Sequence, residues 1–182
     1  MSQRESGYGR KAGDLYETPE WVTEALLPHM PKRVECVWEP ACGSGKMSRV
    51  LKGAGYLVYA TDIDGGIDFL THNTAVQQAE FDWHKWAAAD AIITNPPYAH
   101  AQAFIEKALS LVSMVAMLLR CDFDHAKTRQ HLFGEGFAKK LVLTKRIRWF
   151  EDTKGSPSFN HAWFIWDHNH EGPPTLAYGP TL

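Results

Sequence analysis

Apolar residues fall in short runs broken by glycine, proline and charge, and the runs follow two periods. Residues 34–38, 56–61, 91–94 and 112–119 are compact apolar runs bounded by turn residues, which predicts buried strands. Val22, Leu26 and Leu27 recur at helical spacing. They predict a helix that Thr18 caps and Pro19 opens, running to about His29, where Pro28 and Pro31 bracket its end. Further helices are predicted over 46–52, closed by Gly53 and Gly55, over about 101–109, and over 123–133, broken by Gly134 and Gly136. Residues 66–70 read as a short extended segment or loop. Residues 71–89, with Trp83, His84, Lys85 and Trp86, give no clear period. Residues 140–143 and 162–166 read as the last two strands. No helix separates them, so they are expected to pair as a hairpin, with one strand antiparallel. Strands and helices otherwise alternate, which predicts an α/β, doubly wound, mostly parallel sheet with right-handed crossovers. Residues 1–14 are polar and predict a mobile arm, and the Pro- and Gly-containing stretch from His168 predicts a tail.

Composition narrows the class. A chain of 182 residues, 45% hydrophobic and 22% charged, suits one soluble domain without a separate target-recognition domain. No apolar run approaches a membrane span and the N-terminus is polar. Cys36, Cys42 and Cys121 have neither paired nor metal-like spacing, so the expectation is a reduced, cytoplasmic protein. The sets His168 with His170, and Cys121 with His125 and His131, are incomplete as metal ligands, and no metal is expected. A net charge of −2 argues against a broad basic coat for nucleic acid. One run, Lys139, Lys140, Lys145, Arg146, Arg148 and Lys154, reads as a local patch: a phosphate contact or a solvated face.

The chemistry concentrates just past the strand at 91–94, in Asn95-Pro96-Pro97-Tyr98. Two prolines end a sheet ladder and fix the backbone. The motif therefore sits at the carboxyl end of a strand, the edge where open α/β sheets bind ligands. An exocyclic amine is a poor nucleophile because its lone pair is delocalised into the ring. Two acceptors on its two N–H groups favour a more pyramidal nitrogen. The Asn95 side-chain oxygen and the Pro96 carbonyl suit that task, and Tyr98 offers a ring for a base taken out of its stack.

A second group lies upstream. Glu39-Pro40-Ala41-Cys42-Gly43-Ser44-Gly45 joins a strand to a helix, so backbone N–H groups can approach a ligand. Asp62 ends the next strand, where a carboxylate accepts from ribose hydroxyls. Asp68 could accept from an adenine amine, and Ile63 and Phe69 could sandwich its ring. There is no Gly-x-x-x-x-Gly-Lys-Ser/Thr loop and no complete Gly-x-Gly-x-x-Gly, so a nucleoside without pyrophosphate fits better than ATP or NAD.

Residues 39–45, Thr61-Asp-Ile-Asp64, Asp68-Phe-Leu70 and Asn95-Pro-Pro-Tyr98 together resemble the S-adenosylmethionine-dependent amino-methyltransferases, above all the DNA N6-adenine methyltransferases of restriction, phage and prophage systems. Tyr16-Glu-Thr-Pro19 resembles their N-terminal cofactor motif, and Arg148-Trp-Phe150 with residues 155–163 resembles their late motif against the target base. The resemblance spans most of residues 16–167. It implies a seven-stranded Rossmann-like sheet with one antiparallel strand, S-adenosylmethionine as cofactor and DNA as partner. Tyr16, Thr18, Glu39, Pro40, Ala41, Gly43, Asp62, Ile63, Asp68, Phe69 and Asn95 would then hold the cofactor. Asn95, Pro96, Pro97 and Tyr98 would be catalytic, and Tyr98, Arg148, Phe159 and His161 would meet the base. RNA adenine or a glutamine amide presents the same chemistry. Since no stretch is long enough for a recognition domain, residues 71–89, 122–136 or the basic run would read sequence, or an accessory specificity protein would help.

Overall fold

The computed structural model describes residues 16–71, 89–149 and 159–180. Within them one seven-stranded sheet runs in the order β2-β1-β3-β4-β6-β5-β7. The strands are β1 (Cys36–Glu39), β2 (Leu57–Ala60), β3 (Ala91–Thr94), β4 (Met114–Arg120), β5 (Phe137–Leu143), β6 (His161–Asp167) and β7 (Thr175–Gly179). The helices are α1 (Glu20–Leu26), α2 (Lys46–Gly53) and α3 (Ala101–Leu111). β2, β1, β3 and β4 pair in parallel. β6 runs antiparallel to both β4 and β5, so the expected hairpin forms and one strand is reversed.

Side chains alternate across the pleat, which makes two cores. Val37, Ile93, Met114 and Trp163 face α1 and α2 with Val22, Leu26 and Leu51. Trp38, Ile92, Val115, Phe164 and Trp166 face α3 with Phe104 and Ile105. β4 and β6 are buried on both sides, as central strands must be. The large rings also carry polar ties: Trp163 donates to the Val22 carbonyl at 2.9 Å and Trp166 to the Leu132 carbonyl at 2.6 Å.

Several expectations are corrected. The predicted tail contains β7, which pairs in parallel with β5 from Lys139↔Thr175 to Leu143↔Gly179. Its composition hides it: Leu176 and Tyr178 are 59% and 60% exposed, so no buried alternation marks the strand. Gly179 is there because the fit is tight, since a Cβ would meet the Leu141 side chain at 3.2 Å. Residues 66–70 form a loop, one of the two forms expected of them, and the seventh strand comes from the C-terminal side of the chain. Thr18 does not cap α1. Pro19 stands at that position in extended conformation, and Thr18 is buried beside it. Pro28 lacks an N–H, and the chain tightens there into a 3-10 turn over Leu27–His29. The helix expected over 123–133 is a 3-10 segment, Lys127–Phe133, because Ala126 before it is extended and only Leu132 of the segment is buried. The basic run is not one patch. Lys139 and Lys140 are neighbours on a strand and so face opposite sides, Lys139 toward His29 and Lys140 onto Asp124 at 2.6 Å. Lys145, Arg146 and Arg148 remain, all exposed past the end of β5. The N-terminal arm, Lys154 and nearly all of the unassigned stretch 71–89 lie outside the described residues. No helix among the described residues is long and apolar enough to cross a membrane.

Candidate active site

Parallel strands deliver their carboxyl ends to one edge of the sheet. β1 ends at Glu39, β2 at Ala60 and β3 at Thr94. The loops that follow them enclose a cleft of about 310 Å³. Tyr16, Thr18, Glu39, Pro40, Ala41, Gly43, Asp62, Ile63, Asp68, Phe69 and Asn95 all line it, with Pro97.

The Gly-rich loop is held from below. Cys42 N–H donates to the Thr61 carbonyl and Thr61 N–H to the Glu39 carbonyl, both at 2.9 Å. Asp62 accepts from Gly43 N–H at 2.8 Å and from Asp64 N–H at 3.1 Å. Gly45, at φ +79°, turns the chain into α2, a conformation that costs other residues strain. Burial pushes the Cys42 thiol up, with Glu39 and Asp62 adding to it, so it is a neutral wall of the cleft.

The wall is acidic. Glu17, Asp62, Asp64 and Asp68 line it against Lys46, with Glu39 buried behind them. A phosphate would be repelled there, and a cation attracted. Asp68 is pulled two ways: burial raises its carboxyl, but Leu70 N–H and the Thr71 hydroxyl, each at 2.9 Å, outweigh that and hold it below the ordinary value. Its oxygens thus already cap their own turn. Ile63 is 66% exposed at the lip of the cleft, whereas Phe69 is 1% exposed, packed between Trp38 and Phe104 at 5.2 and 4.8 Å. Phe69 therefore belongs to the core behind the cleft and presents no open ring face to it.

Glu39 is nearly fully buried and accepts from the Ser48 hydroxyl. Burial pushes its pKa up to about 8, partly opposed by the Ser48 hydrogen bonds. The fold thus favours the protonated acid. That stability is complete below the ordinary carboxyl range and is lost as pH rises toward 8. The full difference is on the order of 5 kcal/mol. Glu39→Gln is expected to melt like the wild type at pH 4.5 and several degrees higher at pH 8.5, which thermal unfolding across that range checks.

Asn95 is the distinctive group. Its amide Nδ2 donates to the Tyr16 carbonyl at 3.2 Å. Its Oδ1 is buried and has no donor among the described residues. A buried acceptor left without a partner costs about 1–3 kcal/mol, and such groups persist where a ligand supplies the missing donor. Pro96 is buried, and the Pro97 carbonyl accepts His100 N–H at 2.9 Å.

Tyr98 stands beside this amide. Its hydroxyl meets His161 Nε2 at 2.9 Å. Burial, helped by the nearby Arg120 cation, lowers His161 to about 4, so the imidazole is neutral at physiological pH. Tyr16 lies 6.1 Å from Tyr98 and 5.5 Å from Trp149, and Trp149 lies edge-on to His161 at 5.2 Å. Phe159 carries the Arg120 guanidinium 4.1 Å over one face of its ring. Tyr16 is the ring beside Tyr98, with Trp149 next to Tyr16. Arg148 is exposed in the loop after β5. Glu17, Lys46, His100 and Trp149 also belong to the site or its rim. The first three adjoin residues or motifs already singled out, and Trp149 falls inside the Arg-Trp-Phe motif, so each was within reach of the sequence. No three His, Cys, Asp or Glu side chains among the described residues group as metal ligands.

No protein-family model and no curated protein sequence matches the chain. Solved structures do. A type I restriction-modification methyltransferase subunit from Streptococcus thermophilus aligns at TM-score 0.56 and 14% identity over 85% of this chain and 45% of its own. A modification subunit assigned to a type I restriction enzyme of Vibrio vulnificus aligns at 0.56 and 14%, over 92% of this chain and 48% of its own. A predicted O-methyltransferase from Agrobacterium tumefaciens aligns at 0.52 and 11%, over 87% and 84%. The chain thus spans about half the length of the two restriction-system proteins. At such identities the likeness concerns the fold: a Rossmann-like sheet of the kind methyltransferases use.

Proposed function

We propose that the protein transfers a methyl group from S-adenosylmethionine to the exocyclic N6 amine of adenine in DNA. One observation carries the reading: the buried Asn95 Oδ1, without a donor among the described residues, at the mouth of an acid-lined, nucleoside-sized cleft. When bound, S-adenosylmethionine supplies an electrophilic methyl group on a sulfonium. The cleft fits such a ligand because its carboxylates suit a cation. Asp62 is the acceptor for ribose hydroxyls, Gly43 and its neighbours bring backbone close, and Ile63 covers the purine.

The residues of the chain then act on the amine. Asn95 Oδ1 accepts one N–H and the Pro96 carbonyl the other, since the Pro97 carbonyl is already engaged by His100. Both acceptors stand on a backbone that two prolines fix, so no reorganisation is needed as the nitrogen pyramidalises. Tyr98 supports the flipped base, and neutral His161 holds its hydroxyl, keeping the ring in one plane. A strong base is not required, because the alkylated amine is acidic. Positioning supplies most of the rate. Lys145, Arg146 and Arg148 lie past the end of β5, at the same edge of the sheet as Asn95, and offer phosphate contacts. The restriction-system neighbours, which are subunits of larger systems, support DNA as the acceptor and an accessory specificity protein as partner.

The test is incubation with methyl-labelled S-adenosylmethionine and, separately, duplex DNA, RNA and a protein lysate. Label in DNA is expected. Label only in RNA or only in protein would move the acceptor to RNA adenine or to a glutamine amide, and no label anywhere, with or without added partner, would remove the reading.

A further inference from the structure

The two ends of an Asn amide have the same shape but opposite chemistry, so whichever group faces the amide decides which end faces the ligand. For Asn95 that group is the Tyr16 carbonyl. A carbonyl accepts from Nδ2 and repels Oδ1, so its presence turns Oδ1 the other way, toward the cleft. The carbonyl is not part of β3. It belongs to Tyr16–Thr18, which precedes α1 and lines one side of the cleft.

Among the described residues, this segment is held on both sides of Glu17. Thr18 is buried ahead of Pro19. On the other side Glu17 forms an ion pair with Lys46, the first residue of α2, at 2.7 Å. The Lys46 ammonium, with the Ser44 hydroxyl, holds the Glu17 carboxyl below its ordinary value. The Tyr16 ring packs against Trp149 and Tyr98 between these points. The segment thus crosses from the Gly-rich turn to the amine-binding motif and touches both.

We propose that Tyr16–Thr18 is a strap latched by the Glu17–Lys46 ion pair, and that Glu17 and Lys46 are positioning residues that set the Asn95 amide through the Tyr16 carbonyl. The proposal rests on the methyl-transfer reading only in taking Asn95 Oδ1 as the acceptor for the amine. Its consequence is ordered assembly: the end of the cleft that receives the cofactor and the amide that receives the base are set by one closure. Glu17 and Lys46 are 40% and 38% exposed, so salt screens the latch.

The experiment compares wild type, Glu17→Gln, Lys46→Met and the exchanged pair Glu17→Lys with Lys46→Glu. The first readout needs no ligand: solvent exchange of the Asn95 side-chain amide protons by NMR, identified by their absence in Asn95→Asp. Each single variant is expected to exchange about two- to fivefold faster, the worth of a half-exposed ion pair. The exchanged pair should restore the wild-type rate, and high salt should erase the difference. A purely structural ion pair would lower Tm without moving this amide. The second readout is release of S-adenosylhomocysteine by stopped flow, expected to accelerate by the same factor in the single variants. Unchanged amide exchange in both single variants overturns the strap. If wild type binds no S-adenosylhomocysteine, the proposed function fails, and amide exchange still decides the strap.

Discussion

Asn95→Ala is expected to abolish methyl transfer while leaving the fold and the affinity for S-adenosylmethionine nearly intact. Removing one preorganised acceptor from a reacting centre costs roughly a hundred- to a thousandfold in rate. Here the loss falls at the upper end, because the Pro96 carbonyl alone cannot orient an amine. Stability should move the other way. Among the described residues the wild-type Oδ1 is buried without a donor, and the 3.2 Å bond from Nδ2 to the Tyr16 carbonyl offsets it. Alanine removes both, so Tm should be unchanged or slightly raised. Single-turnover transfer, calorimetry with the cofactor and thermal unfolding check the three parts. A stable, cofactor-competent but inactive variant is the signature of a residue that functions at a cost to the fold. A variant inactive only because it has unfolded would not support the account.

The second large effect is expected at Asp62. Asp62→Ala removes the carboxylate that accepts from Gly43 and Asp64 N–H groups and that would accept from ribose. Hydrogen bonds to a charged group are worth about 1.5–3 kcal/mol each. Losing the ligand's share and loosening the Gly43 turn should lower affinity for S-adenosylhomocysteine by about a hundredfold. Asp64→Ala, which changes an exposed carboxylate at the same lip, should cost less than tenfold. Calorimetry on the two variants separates them. Equal losses would mean that the cleft attracts its ligand by general negative charge, not through Asp62.

The core strands and the chemical motifs were legible in the sequence because each is local. Ala91–Thr94 is apolar on both faces and stopped by two prolines, so both its burial and its end are written in adjacent residues. Gly43 and Gly45 announce a turn into a helix in the same way. What was not legible depends on partners distant in the chain. β7 is a strand because β5 offers it an open edge, although Leu176 and Tyr178 remain exposed. Lys139 and Lys140 look like one patch until the pleat sends them to opposite faces. Phe159 meets the Arg120 guanidinium through the β4–β6 pairing, a contact that no local pattern announces. His161 and the Tyr98 hydroxyl it meets are 63 residues apart in sequence, so no local pattern pairs them.

The most direct test of the account is nucleoside mass spectrometry of DNA incubated with the purified protein and labelled S-adenosylmethionine, beside an Asn95→Ala control. The account predicts label in N6-methyldeoxyadenosine, absent from the control. Label on a ring carbon, or label that persists when Asn95 is replaced, would contradict it, because neither outcome needs an acceptor for an exocyclic amine at that position.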